Sequence, residues 1–432
     1  MELPVSNGAC FHLRNWHLVV GGIAWLWIAG VIGFSVGCSD SSSTNPAPEA
    51  SIKNPEASIK NIGEQSTTQE PGEAEKLAFT QRLQPQVEEF CGSCHVTPRA
   101  DSVDRKRWPR EVLQGFEFQR LSGRDARNPP SVEDVTKYFV YLAPETLEMP
   151  RSIVGNPPSR VKFEATAISK RAGKSSAAQP PCISQIKWMA LNADGPRSLV
   201  YCDLGTGSIY QFQPQSDDAP KLLAVLYQPT SFEQVDLDGD GRLDLVVADL
   251  GEFLAADSDL GRVVWLRRRA NGDQFDEIVL HEGLGRVADV KPADFDGDGD
   301  IDILVSEFGW RTTGRILMLE QTSVDENGVP KFDLKVIDRR HGTIETPLVD
   351  LNGDGHLDFV ALISQEHEVV EAFINDGTGR FSIETLYRAN DPTYGSSRIE
   401  LADLDGDGDV DVVYANGDSF DSGSKPYHSV QW

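Results

Sequence analysis

Four short loops in the second half of the chain share one arrangement of acids and glycines, and they constrain the fold more than any other feature. Residues 236–244 read DLDGDGRLD, 294–302 DFDGDGDID, 350–358 DLNGDGHLD and 403–411 DLDGDGDVD. Their starts recur about every 55 residues, too long for most helical repeats and suited to one four-stranded blade with its loops. Within each loop, carboxylates at the first, third and fifth positions can converge on one cation as the chain curls around it. The glycine that follows supplies the turn, the seventh position offers a backbone carbonyl, and the last Asp closes the shell. All-oxygen donors of this kind suit Ca²⁺ better than a transition metal.

The expected ligands are Asp236, Asp238, Asp240, Arg242 (carbonyl) and Asp244 in the first loop, and Asp294, Asp296, Asp298, Asp300 (carbonyl) and Asp302 in the second. The third would use Asp350, Asn352, Asp354, His356 (carbonyl) and Asp358, and the fourth Asp403, Asp405, Asp407, Asp409 (carbonyl) and Asp411. An EF-hand would need a Glu at the twelfth position and flanking helices. Here the flanks read as strands: LDLVVAD from Leu243, IDILVS from Ile301 and VDVVY from Val410. A simple hairpin turn needs only Gly with Asn or Asp at its tip, not four donor side chains in register four times over. These loops resemble the FG-GAP/VCBS repeats of integrin-type β-propellers over roughly residues 182–432. The resemblance implies a mainly β fold, a propeller of four-stranded blades with about four Ca²⁺ sites between the first two strands of each blade. Segments starting at Gly261 and Gly314 read as third strands. Phe275 to His281 and Phe332 to Ile337 read as fourth strands.

An earlier unit is degenerate. Residues 190–198 read ALNADGPRS, with Ala190 and Ser198 in place of the outer acids, so no metal is expected there. Cys182 and Cys202 lie on the strands flanking this loop, somewhat out of register. Paired and unpaired forms both stand. This gives five units, the last incomplete at Tyr427 to Trp432. Arg160 to Ile168 offers a strand to close a five-bladed ring; a longer array of blades is the rival reading.

The formal net charge of -27 argues against nucleic acid as a partner, because phosphate binding needs clustered Lys and Arg. Much of the acidity sits in the loops, where bound cations would neutralise it. Six cysteines, Cys10 and Cys38 among them, are too few for a disulfide scaffold of this size.

Leu18 to Gly37 carries no charge and is long enough to span a bilayer, with Arg14 before it. Ser35-Val36-Gly37-Cys38 resembles a bacterial lipoprotein signal, in which Cys38 would be lipidated; a retained anchor and a cleaved signal remain open beside it. Residues 39–75, rich in Ser, Thr, Pro, Asn and Glu, read as a disordered spacer. The expected layout is an anchor or signal at 1–38, the spacer at 39–75, a helical unit at 76–150 and the propeller at 160–432. Everything after Cys38 is expected on the periplasmic or cell-surface side, tethered to the membrane.

Residues 91–95 read Cys-Gly-Ser-Cys-His. Covalent haem attachment needs two thiols for the porphyrin vinyl groups and an imidazole beneath the iron, and CxxCH supplies Cys91, Cys94 and His95 close together. Leu77, Phe79, Leu83, Val87 and Phe90 form a helical stripe before the motif, disturbed by Pro85. A second helix follows Pro109, and a third runs from Ser131 to Leu142 with Ser131 as its N-cap. No thioredoxin-like pattern surrounds the motif to make it a redox dithiol, and zinc would lack two ligands. Met149 is the sixth-ligand candidate; water, Lys106, Lys137 or an open position are the alternatives.

The region resembles the cytochrome c domains joined to FG-GAP propellers in exported bacterial proteins, including those of Planctomycetes, which implies haem c but no defined reaction. The leading expectation is an electron carrier that docks a redox partner. The rivals are a surface protein binding a protein or glycan ligand, and a propeller dehydrogenase, for which the chain shows no catalytic constellation. Loops between second and third strands, carrying Glu252, Phe253, Asp257, Asp259, Phe308, Trp310, Arg311, Asn416, Asp418, Phe420, Asp421 and His428, are expected to crowd one face where a partner would bind.

Overall fold

The computed structural model describes residues 71–149 and 181–432, apart from 125–127, 193, 194, 215, 217, 271, 273 and 418–424. The apolar leader, Cys10, Cys38, the spacer up to residue 70, and Arg160 to Ile168 lie outside the described residues, as do Asp418, Phe420 and Asp421. Among the described residues no helix is long and apolar enough to cross a membrane.

Three helices come first: α1 Glu73–Cys91, α2 Trp108–Ser122 and α3 Val132–Leu142. Ser131 caps α3 by accepting the Asp134 N–H at 3.0 Å, as its sequence predicts. Pro85 does not break α1. It sits on the exposed side, where water can satisfy the Gln81 carbonyl that loses its donor. Leu83, Val87, Trp108, Val112, Val135 and Phe139 form the core of this unit, with the Trp108 and Phe139 rings stacked at 3.9 Å.

The rest is a five-bladed β-propeller. The first blade holds β1 Ile183–Ala190, β2 Arg197–Asp203, β3 Ser208–Phe212 and β4 Lys221–Val225. The second holds β5 Pro229–Val235, β6 Asp244–Asp249, β7 Gly261–Arg268 and β8 Phe275–Leu284. The third holds β9 Val287–Ala293, β10 Asp302–Glu307, β11 Arg315–Val324 and β12 Pro330–Asp338. In the fourth the innermost strand is split into β13 Thr343–Glu345 and β14 Leu348–Val349, interrupted at Pro347, which has no N–H for the ladder. β15 Asp358–Ile363, β16 Val369–Asn375 and β17 Phe381–Arg388 complete it. The fifth shows three strands, β18 Ser396–Ala402, β19 Asp411–Asn416 and β20 Ser429–Gln431, so the segment read as a third strand occupies that place.

The second strands read as unbroken apolar runs because both of their faces are buried between blades. Every residue of β6, β10 and β15 is buried. Alternate side chains serve opposite neighbours: Val246 and Ala248 pack toward the third blade with Trp265, Ile303 and Val305, while Leu245 and Val247 pack toward the first with Val200 and Ile209.

Of the two readings left open for Cys182 and Cys202, the structure has the unpaired one. Register explains it: Cys202 faces Gln185, whereas Cys182 lies before β1, its N–H held by the Asp203 carboxylate at 2.9 Å. Cys202 is wholly buried in the core between the first two blades.

Candidate functional site

Successive turns of an antiparallel blade fall at opposite ends, so the Asp-rich loops gather at one end of the propeller and the loops joining second to third strands at the other. In each Asp-rich loop the first carboxylate accepts backbone N–H groups from the chain curling past it. Asp294 takes those of Gly297 at 2.7 Å and Gly299 at 3.1 Å, and Asp350 and Asp403 repeat the pattern. Asp298 accepts the Asp300 N–H at 3.0 Å, and Asp354 and Asp407 do the same one loop further on. Ligand oxygens of Asp294, Asp296 and Asp298 lie within 4.8 Å of one another, as do those of Asp236, Asp238 and Asp244, and of Asp403, Asp405 and Asp411. The oxygens are hard donors on a curled backbone, a set that fits Ca²⁺.

Two features escape the sequence reading. The last acid of each loop is already engaged. Asp358 accepts N–H groups from Leu351 at 2.9 Å and Asn375 at 2.8 Å, and Asp244 accepts those of Arg268 and the Trp265 indole at 2.7 and 2.9 Å. These carboxylates pin the loop to the third strand, and Asp302 stands apart from the convergent trio of its own loop. Burial, partly offset by these bonds, pushes the Asp302 carboxyl up to about 6. The first loop also carries its own cations, with Arg267 on Asp238 at 2.5 Å and Arg242 on Asp240. Asp358→Ala, which strands the buried Asn375 N–H and frees that of the exposed Leu351, is expected to cost about 1–3 kcal/mol in urea unfolding, and Asp358→Asn, which keeps one acceptor, clearly less.

At the other end sits the CxxCH segment. Cys91 is the last residue of α1 and both thiols are free. Burial, then the neighbouring Cys94, pushes the Cys91 thiol up to about 11. Reactive dithiols have lowered thiol pKa values, often at helix N-termini, so this environment is wrong for one. The His95 Nδ1 lies 2.7 Å from the Val96 carbonyl oxygen, which leaves Nε2 as the nitrogen for a metal. Met149 lies beyond α3 and is half exposed, and Lys137 is engaged with Glu133 at 2.6 Å.

The helical unit rests on this same end of the propeller, touching one of the loops expected to face a partner and two connections beside it. The Arg99 N–H donates to Asp391 at 2.7 Å, Arg124 pairs with Glu366 at 3.3 Å, and the Arg311 guanidinium stacks 3.8 Å from the centre of the Phe118 ring. Asp257 is occupied as well. Burial alone would raise its carboxyl, but three backbone N–H groups of Arg311, Thr312 and Thr313 bring it down to about 2. Part of the expected docking surface is therefore used within the chain.

Around the propeller axis the innermost strands carry charges of alternating sign. Lys187, Glu233, Lys291, Glu345 and Arg398 come one from each blade. Glu233 pairs with Lys187 at 2.5 Å and with Lys291 at 2.6 Å, and Glu345 pairs with Arg398 at 3.2 Å. The available signal was a charge three residues before the loop in successive units, Glu233 before Asp236 and Lys291 before Asp294.

The fold and the loops define a class, a five-bladed propeller built on Asp-rich turns. Residues 236–305 and 350–414 match the family described as an FG-GAP-like repeat. Among solved structures, the chain is similar to one titled for specific recognition of non-reducing terminal N-acetylglucosamine by an Agrocybe aegerita lectin. That match has 18% identity and a TM-score of 0.32, and it covers 50% of this chain and 57% of that one. The chain thus spans little more than half the length of that lectin chain. No curated protein matches.

Proposed function

We propose that this chain is an exported, membrane-tethered haem protein. A calcium-braced propeller serves as its docking platform, and Cys91, Cys94 and His95 hold a c-type haem for one-electron transfer to a partner. The observation that carries the reading is the CxxCH segment itself. Cys91 closes α1 and Cys94 follows in the next turn, both as free thiols, and His95 turns its Nδ1 to a carbonyl. Haem c would supply the redox chemistry, while the protein would orient it and shape access for the partner. Membrane tethering rests on the apolar leader and Cys38 alone.

Expressed in a periplasm with haem-attachment machinery, the chain is expected to give a c-type band in alkaline pyridine after denaturation. Cys91→Ala/Cys94→Ala should remove it entirely. Absence of covalent haem from a folded, exported chain would sink the reading.

A second reading, surface binding of a protein or glycan, is favoured by one feature. A cleft of about 420 Å³ between the helical unit and the fifth blade is lined by Arg99, Asp101, Asp391 and the rings of Tyr394 and Tyr427, stacked at 4.9 Å. Aromatic faces beside charged groups are the ordinary makings of such a site.

A further inference from the structure

We propose that His341, Glu366 and His367 form a binding site for one divalent transition-metal ion of the Zn²⁺ class, at the end of the propeller opposite the Asp-rich loops. One ligand atom from each of the three lies within 4.8 Å of the other two. Glu366 and His367 sit in the turn between β15 and β16, and His341 comes from the segment joining β12 to β13. The two imidazole rings are 5.1 Å apart at 56°, so their edges converge without stacking.

The backbone is built to bring them together. Gly342, at φ +95°, donates to the Phe308 carbonyl at 2.8 Å and accepts from Ser364 at 2.8 Å. A Cβ there would come within 2.8 Å of the Ser364 carbonyl oxygen, and one on Gly314 within 2.6 Å of the His341 Cβ. Only glycine at both places lets the His341 segment lie against the 364–367 turn. On the other side of the site, Gln365 and Glu368 hold left-handed backbone at φ +56° and +46°. Two non-glycine residues in that region flank the candidate ligand pair, a strained backbone of the kind found where surrounding structure fixes a functional turn.

The donors are prepared. The Nε2 of His367 is buried and has no hydrogen-bond partner. Neutral imidazole is the form that ligates a metal, and both rings are largely shielded from water. Glu366 turns one oxygen to Arg124 at 3.3 Å and the other toward His341 Nε2 at 3.9 Å. A cation that fixes one carboxylate oxygen while the other faces the ligand set is a typical outer-shell arrangement. Asp257, Asp338 and Arg340 supply the remaining nearby charges. Two imidazoles and a carboxylate with room for a fourth ligand suit Zn²⁺ and do not suit Ca²⁺. The charge of Arg124 also acts on the Cys94 side chain, so the site lies beside the CxxCH segment.

The test uses the full chain and its Cys91→Ala/Cys94→Ala variant, which lacks both thiols and any covalent haem, so that failure of the haem reading leaves this one testable. Each protein is freed of metal, returned to excess calcium and titrated with Zn²⁺ by calorimetry. Co²⁺ is substituted in parallel for its visible spectrum. One saturable Zn²⁺ per chain is expected in both proteins. His341→Ala and His367→Ala should each weaken it by more than about 100-fold, and Glu366→Gln by about 10–100-fold. Melting curves check that each variant folds, and Glu366→Gln, at a partly exposed turn, is the variant least able to disturb the blade. No saturable Zn²⁺ in either protein, or binding unchanged in folded variants, overturns the proposal. So does a haem spectrum altered by His367→Ala in a chain that binds no Zn²⁺, which would make the imidazole an iron ligand.

Discussion

Chelating calcium from the full chain is expected to lower its melting temperature by about 10–20 °C, the largest single effect foreseen for this protein. With the loops loaded as proposed, each ion held at one hundred times its dissociation constant contributes about 2.7 kcal/mol. Four such ions reach a size comparable to the whole stability of an ordinary domain. The bare loops give the opposing force: in the second loop three carboxylates lie within 4.8 Å of one another, and burial with the charge of Asp298 already raises the Asp300 carboxyl. The loops are not equal. Arg267 and Arg242 partly neutralise the first loop, so it should bind last and lose least. Asp294→Ala and Asp403→Ala, which remove the acid around which each loop curls, should each abolish a larger share of the calcium increment than Asp238→Ala. Scanning calorimetry with and without Ca²⁺, with Mg²⁺ as the control, measures this. A melting temperature indifferent to chelation would exclude the calcium reading.

Lys291→Ala is expected to cost about 3–5 kcal/mol in chemical unfolding. The lysine is mostly but not wholly buried on an innermost strand, with Glu233 at 2.6 Å and Asp289 at 3.1 Å. Burial alone would lower its pKa, yet the two carboxylates outweigh it and hold the ammonium charged. Asp289 is itself fixed by the Ser231 hydroxyl at 2.9 Å and the Thr346 N–H at 3.1 Å, so it cannot swing to water when its partner is lost. Truncation therefore leaves uncompensated buried charge rather than merely a missing contact. Adding Glu233→Gln and Asp289→Asn should recover most of the loss. A triple variant no more stable than Lys291→Ala would show that packing of the lysine stem, not charge, set the cost.

What the sequence reveals follows the range of the interactions involved. The Asp-rich loops are local, each closed by its own backbone N–H groups, so their period and flanking strands could be read directly. The cap at Ser131 and the short strand near the last residues are local for the same reason. The two roles of Asp358 were hidden because its partners, Leu351 and Asn375, include one from a strand across the sheet. His341 and His367 come together only when the innermost strand of the fourth blade pairs with the strand that leads into the 364–367 turn. Pro85 leaves the expected helix whole because its side of α1 faces water, which the local pattern does not show.

The charges around the axis have a further consequence that follows from parity. Lys187, Glu233, Lys291, Glu345 and Arg398 alternate in sign from blade to blade, but an odd cycle cannot alternate all the way round. Three neighbouring pairs are made as ion pairs, Lys187 with Glu233, Glu233 with Lys291, and Glu345 with Arg398. A ring closed on these five blades would have to set like charges beside each other where the blade of Arg398 meets that of Lys187. If the ring ever opens, that seam is where it should part first.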